Sequence, residues 1–236
     1  MDPSQGSKLY RWLIGEFTVG ARRGFVKQID PYLAPLVHRL DRVLDLCCGA
    51  GPFSFYFEER GADVTAIDIL PEMIELARKD AVARGSAVEF IQADVLSHDL
   101  GVDRFDLIVL LGNSVSDFTL PDFVRLARKV RKALRQKGRF VVHYLDGLHQ
   151  FIENIYSRET VQQDQPERIV RRFKEYLPET AAYREIYRNE ATGEEYEYTS
   201  YLYNPPMVHL AVTGIFAVEQ QIRLEEQRYL EIFKGV

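Results

Sequence analysis

The chain has little of what usually settles a protein's class at a glance. It holds only two cysteines in 236 residues. They are adjacent, Cys47 and Cys48, a spacing that suits neither a disulfide framework nor a metal set, so they are expected to be small buried side chains. No window approaches the ~20 apolar residues of a membrane-spanning helix. The opening Met-Asp-Pro-Ser-Gln-Gly carries no apolar stretch of the kind a secretory leader needs. A cytoplasmic location with no membrane partner is therefore expected. Positive charge is not in excess either, since 30 Lys and Arg stand against 35 Asp and Glu for a net charge of −5. Such a field opposes polyanions, and nucleic acid is not an expected partner. One basic run exists, Arg125, Arg128, Lys129, Arg131, Lys132, Arg135 and Lys137. Phe123, Leu126, Ala127, Val130 and Leu134 interleave with it at helical spacing, which makes it the solvated face of an amphipathic helix. No short repeat is visible, and no acids and histidines recur at metal-ligand spacing, so no metal is expected.

What is present is a composition of 46% hydrophobic and 28% charged residues, that of one globular domain with a full core, or one with a sizeable insertion. The most informative segment is Val43-Leu-Asp-Leu-Cys-Cys-Gly-Ala-Gly51. An apolar strand that ends in two glycines one residue apart lets the backbone turn sharply and approach a ligand with its N–H groups. A Gly-x-Gly alone is a weak signal, and the third glycine of the dinucleotide fingerprint is replaced here by Ser54. Its company strengthens it. Asp45 lies in the approach to the turn, Asp68 ends a second β-branched run, and Asp94 ends a third. A carboxylate at a strand end often only caps the next helix. Three at successive strand ends beside one glycine loop point instead to a nucleotide, because ribose hydroxyls and an exocyclic amine are donors and carboxylates are acceptors.

From residue 42 to 144, strand-like runs alternate with helical patterns. The strands are expected over Arg42–Leu46, Val64–Asp68, Val88–Ala93, Phe105–Leu111 and Arg139–Tyr144, and the helices over Phe53–Arg60, Pro71–Arg84 and Pro121–Leu134. Gly85 and Gly138 sit where helices should stop. Alternation of this kind predicts a Rossmann-like, doubly wound parallel sheet with its ligand at the carboxyl ends of the strands. Residues 8–40 are expected to be helical segments broken at Gly15, Gly20 and Pro31, able to close over the cofactor. After Tyr144 the character changes. Leu148–Tyr156 suits a short helix, and two alternating runs on either side of Asn189–Gly193 predict an antiparallel hairpin. The end of a helix is expected at 210–216 with Gly214 as its stop, then strands near Phe216–Leu224 and Arg228–Phe233. The organisation is thus an N-terminal helical cap (1–40), a nucleotide-binding core (41–147), an insertion with a hairpin over the substrate (148–209), and a last helix and strands that complete the core (210–236).

The loop Asp45-x-x-x-Gly49-x-Gly51 resembles that of the class I methyltransferases that use S-adenosylmethionine. That resemblance implies a seven-stranded sheet with one antiparallel member and S-adenosylmethionine as cofactor. It places Asp45, Cys47, Gly49, Ala50 and Gly51 at the cofactor's loop, Asp68 at its ribose, Met73 against one adenine face, and Asp94 with Val95 at the adenine amine, with Ile69 a further cofactor candidate. Leu111-Gly112-Asn113-Ser114 at the fourth strand end is similar to a segment of the glycine and sarcosine N-methyltransferases that stands between sulfonium and acceptor, so Leu111 and Gly112 are cofactor candidates and Asn113 a substrate candidate. Leu13-Ile-Gly-Glu16 followed by Arg22 and Arg23 resembles the same group's N-terminal segment, in which an arginine meets the cofactor's carboxylate; either arginine fits. One departure matters. Where those enzymes carry His-Arg after the fifth strand, this chain has His143-Tyr144, which argues against a simple amino acid as acceptor. Their tetramerising arm has no counterpart here, and a homodimer is the assembly left open.

On the substrate side the candidates are Tyr144, Asp146 just past the fifth strand, and Tyr201 and Tyr203. Tyr183, Tyr187, Tyr196 and Tyr198 accompany them on the hairpin. An aromatic wall there excludes water and attracts a cationic amine; the competing account is ordinary strand preference and packing. Methyl transfer from a sulfonium needs positioning more than covalent help, so no dedicated catalytic side chain is singled out. Asn204-Pro-Pro-Met207 lies too late in the chain, and lacks the aromatic, to be the motif of base and glutamine amine methylases. The function expected is methyl transfer to a small molecule, at nitrogen rather than oxygen. Two alternatives stand beside it: an NAD(P)-dependent oxidoreductase on the same βαβ logic, and a catalytically silent S-adenosylmethionine-binding regulator.

Overall fold

The computed structural model describes residues 9, 12, 19–152, 159–162 and 168–236. Helix α1 spans Val19–Leu33, with Gly20 and Pro31 inside it. The expected breaks at those two residues do not occur. Ile29 and Leu33 are fully buried on the core, and that packing outweighs the one backbone bond Pro31 forfeits near the helix end. Gly15 lies outside the described residues.

The βαβ units then follow the predicted order. Strand β1 is Arg42–Leu46, α2 Pro52–Glu58, β2 Asp63–Asp68, α3 Pro71–Arg84, β3 Glu89–Gln92 and β4 Phe105–Leu110. Helix α3 matches its expected bounds because both ends are marked in the chain. Pro71 occupies its first turn, and Gly85 caps its end at φ 65°, a left-handed conformation that costs glycine nothing. Helix α4, Leu120–Ala133, is N-capped by Thr119, whose hydroxyl accepts from the Asp122 N–H at 3.1 Å. Gly138 does not stop α4. Strand β5, Leu134–Leu145, starts directly after the helix, and Gly138 lies within it. A Cβ there would meet Leu134 Cδ2 at 2.9 Å and the Asp106 carbonyl at 3.1 Å, so close approach explains the glycine.

After the short helix α5, Gly147–Ile152, come four antiparallel strands in sequential order: β6 Glu159–Gln162, β7 Ile169–Leu177, β8 Ala182–Asn189 and β9 Glu195–Tyr201. The predicted hairpin is β8–β9, half of a larger sheet. The remainder of the expected 148–156 helix, residues 153–156, lies outside the described residues. Helix α6 runs Pro205–Val212, earlier than the expected 210–216. Asn204 caps it by accepting from the Met207 N–H at 3.0 Å, which is the structural use of Asn-Pro-Pro-Met here. Gly214, at φ 74°, follows its end. Because α6 packs on α4, it belongs to the core, and a boundary at 209/210 would cut through it. Strands β10, Phe216–Glu225, and β11, Arg228–Gly235, close the chain.

The main sheet has the order β10-β11-β5-β4-β1-β2-β3, parallel except for β11, which is antiparallel to both its neighbours. One face buries Phe123, Leu126, Val130 and Val208 of α4 and α6. The other buries Ile29, Phe53, Phe57 and Ile74 of α1, α2 and α3. β4 sits between these layers, and its run Leu107–Leu110 is at most 1% exposed, each side chain worth about 1.5–3 kcal/mol of burial. Leu9 and Trp12 pack with Ile169, Tyr187 and Tyr198 of the four-stranded sheet rather than with either core layer. Among the described residues no helix is long and apolar enough to cross a membrane.

Candidate functional site

A cleft opens at the carboxyl ends of β1 to β4, where a doubly wound sheet presents its loops. Four segments line it. Asp45, Cys47, Cys48, Gly49, Ala50, Pro52 and Phe53 come from the β1–α2 turn, and Asp68, Ile69, Leu70 and Met73 from the β2–α3 turn. Ala93, Asp94, Val95 and Leu96 come from the end of β3, and Leu111, Gly112, Ser114, Asp117 and Phe118 from the β4–α4 connection, with Asp122 from the first turn of α4.

The first turn is built by left-handed backbone at Cys47 (φ 55°), Gly49 (φ 56°) and Gly51 (φ 80°). Gly51 itself does not line the cleft. It N-caps α2, and a Cβ on it would meet the Phe90 ring at 2.8 Å. A Cβ on Gly49 or Gly112 would meet nothing within 4 Å, so both leave bare backbone beside open space at the cleft. The loop is tied to β2 by Asp68, whose Oδ2 accepts from the Gly49 N–H at 2.8 Å and whose Oδ1 accepts from the Leu70 N–H at 2.9 Å. Burial pushes the Asp68 carboxyl up, with those N–H groups opposing. Asp45, 1% exposed, accepts from the Ser54 hydroxyl at 2.7 Å; burial, assisted by nearby Asp68, pushes it up to about 7. Ser54, where a third glycine was absent, therefore serves the loop as the partner of Asp45. Desolvation raises both thiols well above their ordinary range, so Cys47 and Cys48 stay protonated.

At the third strand end, Asp94 Oδ1 accepts from the Leu96 N–H at 2.8 Å. The loop beyond is held from below by Lys129 of α4. Its Nζ donates to the carbonyls of Val95, Leu96 and His98 at 2.7–2.8 Å. One member of the basic run thus supports the cleft, while Arg125, Arg128 and Lys132 face solvent.

The fourth segment turns through Gly112 (φ 78°) and Asn113 (φ 72°) into a 3₁₀ turn, Ser114–Asp117. Asn113 does not line the cleft. Its Oδ1 accepts from the Leu145 N–H at 2.9 Å, tying the ends of β4 and β5 together. Asp117 does line it, and sequence reasoning missed it; the signal was its place one 3₁₀ turn beyond the Leu-Gly-Asn-Ser segment. Its carboxylate accepts a hydrogen bond from the Tyr198 hydroxyl of β9. Desolvation pushes Asp117 up to about 6, against that bond.

The other substrate candidates fall elsewhere. Tyr144 is fully buried, stacks on Tyr229 and donates to Glu231 Oε1 at 2.7 Å, on the sheet face toward α6. Tyr203 is 2% exposed and donates to the Phe118 carbonyl at 3.1 Å, and Tyr201 packs against the same core layer. Asp146 Oδ1 accepts from the His149 N–H at 2.9 Å, a cap on α5. None of the four lines the cleft. Of the tyrosines on β8 and β9, Tyr198 reaches the side chain of a lining residue through its hydroxyl, while Tyr196 meets the Trp12 ring at 4.6 Å. An aromatic wall is not what the described residues form. Arg23 is exposed on α1 and away from the cleft, and the Arg22 side chain is outside what is described.

Sheet order, one antiparallel strand and a cleft beside a glycine turn and three strand-end acids define a class of architecture, the Rossmann-like fold that solved methyltransferases share. Residues 43–138 match the family described as methyltransferase domain. Among curated relatives, the chain is 32% identical over 103 residues to a demethylmenaquinone methyltransferase of Thermus thermophilus, covering 43% of this chain and 46% of that one. It is 41% identical over 68 residues to a 23S rRNA (uracil(1939)-C(5))-methyltransferase of Shewanella amazonensis, covering 28% and 15%. The matches thus span less than half the length of these relatives. Among solved structures, an S-adenosylmethionine-dependent methyltransferase from Clostridium acetobutylicum shares the fold over 98% of both chains, with a TM-score of 0.75 and 14% identity.

The described residues would suit S-adenosylmethionine: bare backbone at Gly49 and Gly112 leaves open space at the cleft, and Asp68 and Asp94 could offer carboxylate oxygens to its donors.

Proposed function

We propose that the protein is an S-adenosylmethionine-dependent methyltransferase that methylates a small molecule, at nitrogen rather than oxygen. The observation that carries the reading is one cleft bringing together Gly49, Asp68 and Asp94 within the segment that matches the methyltransferase family. The cofactor supplies an electrophilic methyl group on a sulfonium. In this reading Asp68 accepts the ribose hydroxyls, giving up its bond to the Gly49 N–H. Met73 and Ile69 pack on the adenine, Asp94 and the Val95 backbone meet its edge, and Leu111 and Gly112 line the sulfonium end. What the chain contributes to rate is orientation and exclusion of water, an effect worth up to ~7–11 kcal/mol when the nucleophile is held in line. The lining contains no histidine, lysine or arginine among the described residues, so a proton taken from an alcohol there would have to go to an aspartate. A neutral amine, with its lone pair free, needs no such base. A net charge of −5 and a cleft lined by carboxylates support a small acceptor over a nucleic acid. The four-stranded sheet, between α5 and α6 in the chain, reaches the acceptor end of this reading through the Tyr198 bond to Asp117, and Leu9 and Trp12 rest on it.

Calorimetry with S-adenosylhomocysteine tests the cofactor assignment. Native protein should bind it, and Asp68→Ala should weaken binding about 100-fold, the loss expected when bonds to a charged acceptor are removed. No binding by native protein, or unchanged binding by the variant, refutes the proposal.

A further inference from the structure

The cleft has two unlike ends. Its glycine-turn end is formed by the β1, β2 and β3 connections, all within the main domain. Its other end is formed by the β4–α4 connection, and there alone a hydrogen bond crosses from a lining residue to the four-stranded sheet, from the Tyr198 hydroxyl to the Asp117 carboxylate. Asp117 is half-buried and lines the cleft. The lining residues provide it with no cationic partner, since every titratable one is an aspartate or a cysteine. Asp45 and Asp68 are occupied by Ser54 and by the Gly49 and Leu70 N–H groups, and Asp94 by the Leu96 N–H. These acids do not make a metal site: among the described residues no three His, Cys, Asp or Glu side chains converge to hold an ion.

Resting on the methyltransferase reading, we propose that Asp117, oriented by Tyr198, is the acceptor-binding residue, and that it selects an amine by accepting the hydrogen bonds of its N–H groups. A carboxylate in a desolvated cleft whose described lining holds no cationic side chain is stabilised by a donor-rich or cationic ligand and repels an anionic one. The Tyr198 bond spends one lone pair of one oxygen and leaves the rest of the acceptor capacity for a ligand. The same bond makes the four-stranded sheet part of the recognition surface, although no tyrosine of that sheet lines the cleft. Acceptors whose only polar group is a carboxylate or phosphate are excluded by like charge.

The test uses the full chain saturated with S-adenosylhomocysteine and a size-matched panel of amines, phenols and carboxylic acids, titrated by calorimetry. Amines should bind at least tenfold tighter than the other two classes. Asp117→Asn, which keeps the shape and removes the charge, should weaken amine binding about 30-fold while S-adenosylhomocysteine affinity stays within twofold. Tyr198→Phe, which leaves the carboxylate in place but frees its orientation, should cost a smaller factor on the same amines. The melting temperature of each variant reports whether it folds, and Tyr198→Phe carries the test if Asp117→Asn does not. Acids or phenols binding as well as amines, no amine binding to the loaded protein, or amine affinity unchanged in the variants overturns the proposal. So does a loss confined to S-adenosylhomocysteine, which would make Asp117 a cofactor ligand. Failure of native protein to bind S-adenosylhomocysteine instead removes the methyltransferase reading, and this proposal with it.

Discussion

Asp45 is a deeply buried acid beside the cleft. It sits in the middle sheet layer at 1% exposure, bonded by Ser54, with its carboxyl pushed from 3.8 to about 7 by burial. A raised carboxylate holds its proton in the folded state at pH values where the unfolded chain has lost it. Its contribution to stability is therefore fully present below about pH 4 and declines as pH rises toward 7, by at most roughly 4 kcal/mol. Asp45→Asn keeps an acceptor for Ser54 and removes the titration. Melting curves between pH 5 and 8 should show a shallower decline in the variant than in native protein, and parallel curves would contradict the assignment. Asp45, Asp68 and Asp94 were legible in the sequence because each closes a strand run, and strand ends face the ligand in this architecture. Tyr144 was not legible. Alternate residues of β5 face opposite layers, so His143 meets Phe25 of α1 at 4.5 Å while Tyr144 turns to Glu231. The position next to the strand end shows in the sequence; the layer it faces does not.

Among the elements, those of the main sheet were legible and the insertion only in part. α3 and β1 carry their own punctuation, and β4 its apolar run. β7 does not alternate apolar with polar: Ile-Val-Arg-Arg-Phe-Lys-Glu-Tyr-Leu is a strand whose neighbours answer its charges, Arg171 facing Glu185, Glu175 facing Arg184 and Lys174 reaching Glu197 of β9. Such cross-strand pairs leave no periodic hydrophobic signal. α4 acts at the same scale on the cleft, because the three bonds from Lys129 fix the loop that carries Asp94. Desolvation lowers the pKa of that ammonium group, with Asp94 opposing. Lys129→Met should free the loop, weakening S-adenosylhomocysteine binding about tenfold by calorimetry while costing ~1–2 kcal/mol of stability in urea, since the released carbonyls can turn to water. Binding equal to native would show that the loop holds its shape without the lysine.

For the whole molecule, the two sheets are stabilised to different degrees. The seven-stranded sheet is enclosed between two helical layers, and its central strand β4 is dry on both faces. The four-stranded sheet has a small apolar cluster of its own, Leu9, Ile169 and Tyr187 with Trp12 and Tyr198 beside them, and much of its remaining surface is charge pairs open to water. Exposed ion pairs contribute between nothing and about 1 kcal/mol each, so this sheet should open without unfolding the rest. Native-state hydrogen exchange should place the amides of Ile108 and Val109 at the global unfolding limit, and those of β8 and β9 at least about 100-fold faster. Saturation with S-adenosylhomocysteine should slow the β1–α2 turn, which the cofactor would touch, and leave β8 and β9 nearly as fast as before. An acceptor held by Asp117 should slow β9 as well, because Tyr198 joins that strand to the carboxylate it binds. Uniform protection across both sheets would mean that the molecule opens only as one unit, and that the acceptor end of the cleft is as fixed as the end that takes the cofactor.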